Sequence, residues 1–338
     1  MRSRLVFVHG IGATREPARE LAAWTGALAV GMAEAGHSEA ARELLAGGLA
    51  ECVFAHYADL FGPGRAQGGA GPDVTGDAEA EILSELLVAW VDGLSEEEEE
   101  AEAEGRDEDG DEWNRRILDH ARAQAAPRRQ EQGSLEVVRR ALNVATTVMA
   151  LKPWGPAARW ITPKLMVGHL TQVARYLARA EAGPDGAGLD RRIRARVAEA
   201  IGEGPAVVVA HSLGTIVALE ALHELTAVTP LFVTLGSPIA MRTLVWPRLR
   251  PQPPGAPENV AGWLNFWDRD DIIAVRPRLE RGVRANRAGV APVSRRVDSD
   301  GTWVHSAEKY LAQPAVAGPV AEALARPAGG RADRGDLG

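Results

Sequence analysis

The stretch VVVAHSLGTIVALEALHEL, residues 207–225, decides the fold. Four apolar residues run into a His-Ser-Leu-Gly turn, and a helical pattern follows. A short, continuous apolar run of this kind reads as a strand covered on both faces, as in a parallel sheet. The turn then sets Ser212 at the carboxyl edge of the sheet, where open α/β proteins bind their ligands. Ala210 and Gly214, two positions to either side, are small enough for strand and helix to pack closely.

Working outward, the run Leu5 to Val8 reads as another buried strand and ends in His9-Gly10-Ile11-Gly12. A helix is expected from about 16 to 35, a strand over 51–57, a Gly/Pro-rich loop over 62–76 and helical spacing over 78–91. Helical patterns return at about 113–125, 134–151, 157–181 and 189–201. Strands follow at 206–210, 231–235 and 262–267. Strands alternating with helices predict an α/β fold, with a mostly parallel central sheet and helices on both faces. Residues 1–93 and 188–325 form the expected core, and 113–187 form a large helical insertion. The insertion is expected to act as a cap over the site, with the apolar stretch from Leu142 to Trp160 lining a greasy pocket, or else to pack on the scaffold or a second subunit.

The 338 residues carry a net charge of -8, unevenly spread. Residues 96–112 hold twelve acids and one arginine, which is -11, so the rest of the chain sums to +3. This acidic run has almost no apolar side chain to offset the entropy of ordering, and 94–112 is expected to be a disordered linker. Residues 113–200 carry sixteen Lys/Arg against seven Asp/Glu. That surplus reads as solvated helix faces, with peripheral contact to an anionic membrane or an acidic protein partner as the sharper alternative. The tail 326–338 is rich in Gly, Arg and Asp and is expected to be disordered.

The single cysteine, Cys52, excludes an intramolecular disulfide and fits a reducing compartment. The apolar patch near the N-terminus spans only about four residues, too short for a signal peptide. Nowhere do about 18 apolar residues follow one another, as a membrane-spanning helix requires. These features predict a soluble, cytoplasmic protein. No HExxH, paired CxxC or GxxxxGK[ST] occurs, so neither a metal nor another cofactor is expected. The basic block contains no nucleic-acid-binding motif and borders a strongly acidic run, so nucleic acid is not an expected partner.

A serine on a sharp turn is exposed to both a base and a substrate, which suits nucleophilic catalysis. The amide of Leu213, at the start of a helix, and that of Ile11, in the turn after the first strand, could together form an oxyanion hole. His9, Gly10, Ala210, His211 and Gly214 are read as support for the oxyanion loop and the serine turn. His37, His56, His120, His169 and His223 have no discernible partner in the sequence.

VFVHGIG at one strand end and AHSLG at the other resemble the α/β-hydrolase superfamily, particularly its lipase and esterase branches. The likeness covers about 1–60 and 188–315, not the middle block, and Ala210 stands where the usual motif has glycine. It implies a catalytic triad in the chain order serine, acid, histidine. NFWDRDDII, residues 265–273, offers three acids. The lipase-like spacing places the catalytic acid at Asp271, with Asp268 and Asp270 as alternatives whose ordinary role would be turn formation. His305, the one histidine after Asp271, would be the base. TLGSPI, residues 234–239, also resembles lipase-like members and would shape the pocket floor.

The resemblance thus implies a serine hydrolase cleaving a small-molecule or lipid-like ester with a hydrophobic acyl group through an acyl-enzyme intermediate. A thioesterase, peptidase or acyltransferase would use the same residues. A reading from another class is a non-catalytic scaffold that binds a protein partner through the acidic segment or the inserted helices.

Overall fold

The apolar runs form strands. A computed structural model describes residues 3–10, 16–61, 76–103, 108–126, 134–151, 163–183, 186–241, 244–268, 271, 273–274, 278–299 and 304–326. Strands β1 (Ser3–Val8), β2 (Ala50–Ala55), β3 (Ala206–His211), β4 (Phe232–Leu235), β5 (Trp263–Asp268) and β6 (Pro292–Val297) make one sheet in the order β2-β1-β3-β4-β5-β6. Every ladder between neighbours is parallel.

Parallel pairing needs crossovers, which the helices supply. These are α1 (Pro17–Glu34), α2 (Ser38–Leu45), α3 (Asp77–Ala103), α4 (Glu108–Ala125), α5 (Ser134–Val148), α6 (Pro163–Ala178), α7 (Leu189–Ile201), α8 (Leu213–Glu224), α9 (Val245–Arg248), α10 (Ala307–Leu311) and α11 (Pro314–Ala325). Side chains alternate between the two faces of each strand. Leu5 and Phe7 of β1 join Val207 and Val209 of β3 in a core with α1, α2, α10 and α11. Val6, Val8, Val208 and Ala210 face the other way, into a core that takes in α3 to α8. Burying each such side chain contributes about 1.5–3 kcal/mol, which is why these strands read as unbroken apolar runs. The start of β1 and the last helix meet where the Ser3 hydroxyl donates to the Leu324 carbonyl at 3.4 Å.

The inserted helices α3 to α6 pack on one another and share the core of α7 and α8. Residues 78–91, read as helical, lie in α3, whose buried side chains join the core of Val6, Val8 and Val208. One boundary differs from the sequence reading. The segment 94–112, expected to be disordered, is helical over 94–103 and again over 108–112. The physical reason is nucleation: the buried face of α3 through Leu94 fixes the first turns, and adding residues is then cheap for good helix formers such as Glu and Ala. Of the expected tail, only Arg326 lies among the described residues, and Trp160 lies outside them.

The strand order reverses between β1 and β3: the chain leaves β1 for β2 on one side and returns to β3 on the other. Such a reversal is where open α/β sheets bind their ligands, at the carboxyl ends of the strands. No described helix is long and apolar enough to cross a membrane.

Candidate active site

Ser212 follows β3 directly and caps α8, with φ 55 and ψ -130. A positive φ for a residue with a side chain is a strained conformation that surrounding structure must hold. Here the Ser212 amide donates to the Leu235 carbonyl at 3.0 Å, and the Ser212 carbonyl accepts from the Thr215 amide at 2.9 Å. Neighbouring loops interlock with it. A Cβ on Gly214 would stand 2.6 Å from the Val8 carbonyl oxygen, and one on Gly10 would stand 2.5 Å from Ser212 Cβ. Neither position tolerates a side chain while the loops after β1 and β3 approach this closely. Ala210, in place of the usual glycine, is fully buried; its methyl fits.

His305 precedes α10 and reaches the serine from the far side of the sheet order. Its Nε2 lies 3.0 Å from Ser212 Oγ. Its Nδ1 lies 2.8 Å from Oδ2 of Asp271, beyond the end of β5. With a carboxylate on Nδ1, that nitrogen carries the proton and Nε2 is left to accept from the serine hydroxyl. The three residues chosen from the sequence therefore lie in one hydrogen-bonded line, across segments 34 and 93 residues apart in the chain.

Asp271 is fully sequestered and has further donors. Oδ2 also accepts from the Tyr310 hydroxyl at 2.7 Å, and Oδ1 from the Ile273 amide at 3.0 Å. Burial alone would raise its proton affinity. The charge interaction with His305 and the three hydrogen bonds outweigh that and hold the carboxyl below its ordinary range. Gly236, at φ 51, lines this carboxylate: a Cβ there would fall 2.6 Å from Oδ2 and 3.1 Å from His305 Nδ1. The TLGSPI segment thus packs on the acid and the base, and Ser237 within it is hydrogen-bonded to Thr215 of α8 at 2.7 Å.

Of the alternative acids, Asp268 is placed elsewhere. Asp268 ends β5, and its Oδ2 accepts from the amide and hydroxyl of Ser299 at 2.6 and 2.7 Å, which ties the β5 end to the segment after β6. Asp270 lies outside the described residues, as does Ile11. Leu213, the other expected oxyanion donor, is the first residue of α8. The first amides of a helix have no partner within it, and the dipole there favours negative charge.

His9 supports the loop after β1. Its Nε2 accepts from the Tyr57 amide at 3.1 Å and its Nδ1 lies 2.6 Å from the Gly10 carbonyl, so the ring carries its proton on Nδ1. The Tyr57 hydroxyl donates to the His9 carbonyl, and the two rings stack at 4.1 Å. His211 lies with its ring 4.5 Å from that of His305. Of the histidines set aside in the sequence, His56 faces Asp59 at 3.6 Å, His120 Nε2 accepts from the Gln124 side-chain amide at 3.0 Å, and His223 is hydrogen-bonded to the Gly255 carbonyl at 3.0 Å. Among the described residues no group of three or more His, Cys, Asp or Glu is arranged to hold a metal ion.

No family model, curated protein or solved structure matches the chain. The reading of the site therefore rests on its own geometry.

Sequence reasoning missed Tyr310 and Tyr57. AEKYL carries no signal that Tyr310 is buried; once buried, its hydroxyl must find a partner.

Proposed function

We propose that this protein is a serine hydrolase of the α/β-hydrolase type, cleaving a carboxylic ester through an acyl-enzyme intermediate. The observation that carries the reading is the line from Asp271 through His305 to Ser212, at 2.8 and 3.0 Å, ending on a strained serine at the carboxyl edge of the sheet. His305 takes the serine proton on Nε2 as Oγ adds to the substrate carbonyl carbon. Asp271 holds the imidazole in the required tautomer and faces the positive charge that develops on it. The oxyanion meets the amide of Leu213 at the head of α8. His305 then returns the proton to the departing alcohol, and water repeats the sequence on the acyl-enzyme.

A chain kept only for binding has no need of a base aligned on its serine, so the geometry favours catalysis over the scaffold reading. The ester, with its hydrophobic acyl portion, is chosen over a thioester or amide on the sequence resemblance, because the triad leaves the leaving group open.

The test is reaction of the purified protein with a fluorophosphonate probe, together with hydrolysis of short- and medium-chain p-nitrophenyl esters. Both activities are expected in the wild type and absent in Ser212→Ala and His305→Ala. A folded wild type that neither labels nor turns over any ester would defeat the proposal. Turnover of thioesters or amides alone would correct its substrate.

A further inference from the structure

Tyr310 sits five residues after His305, on α10, and is fully buried. Its hydroxyl has two partners. It accepts from the Asp268 amide at 3.0 Å and donates to Asp271 Oδ2 at 2.7 Å. An amide can only donate, so the phenol's single proton is committed to Asp271. The acceptor it meets is the same oxygen that receives His305 Nδ1.

We propose that Tyr310 is a positioning residue of this site: its hydroxyl pins the acid loop to the element that carries the base and shares the oxygen on which His305 leans. The inference rests on the serine hydrolase reading. Asp268 and Asp271 mark the two ends of one short loop, and a single oxygen atom bridges both. Because the base and this clamp belong to one segment, acid and base cannot drift apart without breaking the bridge. Burial first, and the negative charge of Asp271 second, push the phenol's ionisation well above its usual range, so it remains a donor. Among the described residues, the titratable groups facing this pair are His305, Asp268 and His211, whose ring lies 6.3 Å from that of Tyr310.

Removing the hydroxyl leaves His305 as the sole side-chain donor on Oδ2 and concentrates the carboxylate's charge there. The protonated imidazole then gains a better partner, and the base is harder to free. The acid limb of the rate profile must move to higher pH, and kcat must fall while KM stays nearly constant.

The experiment uses the full chain as wild type, Tyr310→Phe, and a protein carrying 3-fluorotyrosine at position 310, whose more acidic hydroxyl is a stronger donor with the same shape. The first readout needs no substrate: the low-field proton resonance of the His305–Asp271 hydrogen bond, assigned by its loss in His305→Gln. The second is fluorophosphonate labelling and ester hydrolysis against pH. In Tyr310→Phe the resonance is expected to shift, the acid limb to rise by about half a pH unit, and kcat to drop about tenfold, as for one hydrogen bond to a charged group. Fluorotyrosine is expected to move both the resonance and the limb the opposite way, which also covers a Phe variant that folds poorly. Thermal stability is not diagnostic, because either role predicts a loss.

An unchanged resonance in both variants, or no such resonance in wild type, overturns the proposal. If the resonance responds but no protein labels or hydrolyses ester, the hold on the acid stands and the hydrolase reading fails.

Discussion

The hydrogen-bonded line through His305 and the network around Glu220 are both buried and both built on carboxylates, yet they end differently. Glu220, on α8, accepts from Arg179 at 2.6 Å and the Arg250 amide at 2.9 Å on one oxygen, and from Tyr176 at 2.6 Å on the other. Asp190 of α7 accepts from Arg179 at 2.7 Å and from Arg194 at 2.9 Å. Arg194 also reaches Glu220 at 3.3 Å, so two carboxylates face two guanidiniums in a closed ring, and its Nε donates outward to the exposed Glu224 at 2.8 Å. Each strong donor there meets an acceptor that cannot move a proton. The line from Asp271 instead runs to a hydroxyl at the edge of the sheet. Closure marks a fastening between the helical block and the core; the open end on Ser212 is the feature on which the proposed hydrolase function rests.

Substitutions should separate the two. Ser212→Ala is expected to abolish probe labelling and to reduce kcat/KM by about 10⁶-fold, as for loss of a nucleophile, with little change in the denaturation midpoint. Retained labelling would place the nucleophile elsewhere. Asp271→Asn keeps the shape but presents an amide to His305 Nδ1, and steady-state assays should show kcat lower by about 10⁴-fold. Glu220→Ala should do the reverse. It leaves Arg179 and Arg194 to share Asp190 as their one buried carboxylate, at about 3–5 kcal/mol of stability measured by denaturant melts, while activity per folded molecule persists. Equal damage to activity and stability from any of the three would erase the distinction.

The smallest effect is in acid. Asp190 and Asp271 both bind protons less tightly in the fold than an ordinary aspartate does, despite burial, because of their cationic partners and donors. Their stabilisation is therefore complete above the unfolded value and lost as pH falls through the depressed folded values. Melting midpoints should be flat in pH above about 4 and drop below it, and Asp190→Asn should flatten that drop. A protein insensitive to pH below 4 would contradict the assigned partners.

Much of this arrangement was legible in the sequence. The strands β1, β3, β4 and β5 are nearly continuous apolar runs, and both the serine turn and the loop after β1 announce themselves through small residues at strand ends. β6 was not anticipated, because PVSRRV forms an edge: Val293 is exposed, and the charged positions 295 and 296 face partly to solvent, so no apolar run appears. The acidic run misled for the opposite reason, since composition says nothing of the buried helix that extends into it. Tyr310 and Glu220 were missed because their roles depend on which distant segments pack against them. A spacing rule could point to Asp271; no local rule points to a tyrosine that joins Asp268 to Asp271.

The position of β6 at the sheet margin matters beyond pairing. The serine follows β3, which is bracketed by strands on both sides and covered on both faces, so its amides exchange with solvent only when the whole molecule opens. The base is carried by the segment that follows a half-covered margin strand. Partial opening from that margin is therefore expected to release His305 while Ser212 stays seated. Heat or denaturant should therefore extinguish turnover before the helical signal declines, leaving a folded but silent nucleophile that recovers on cooling.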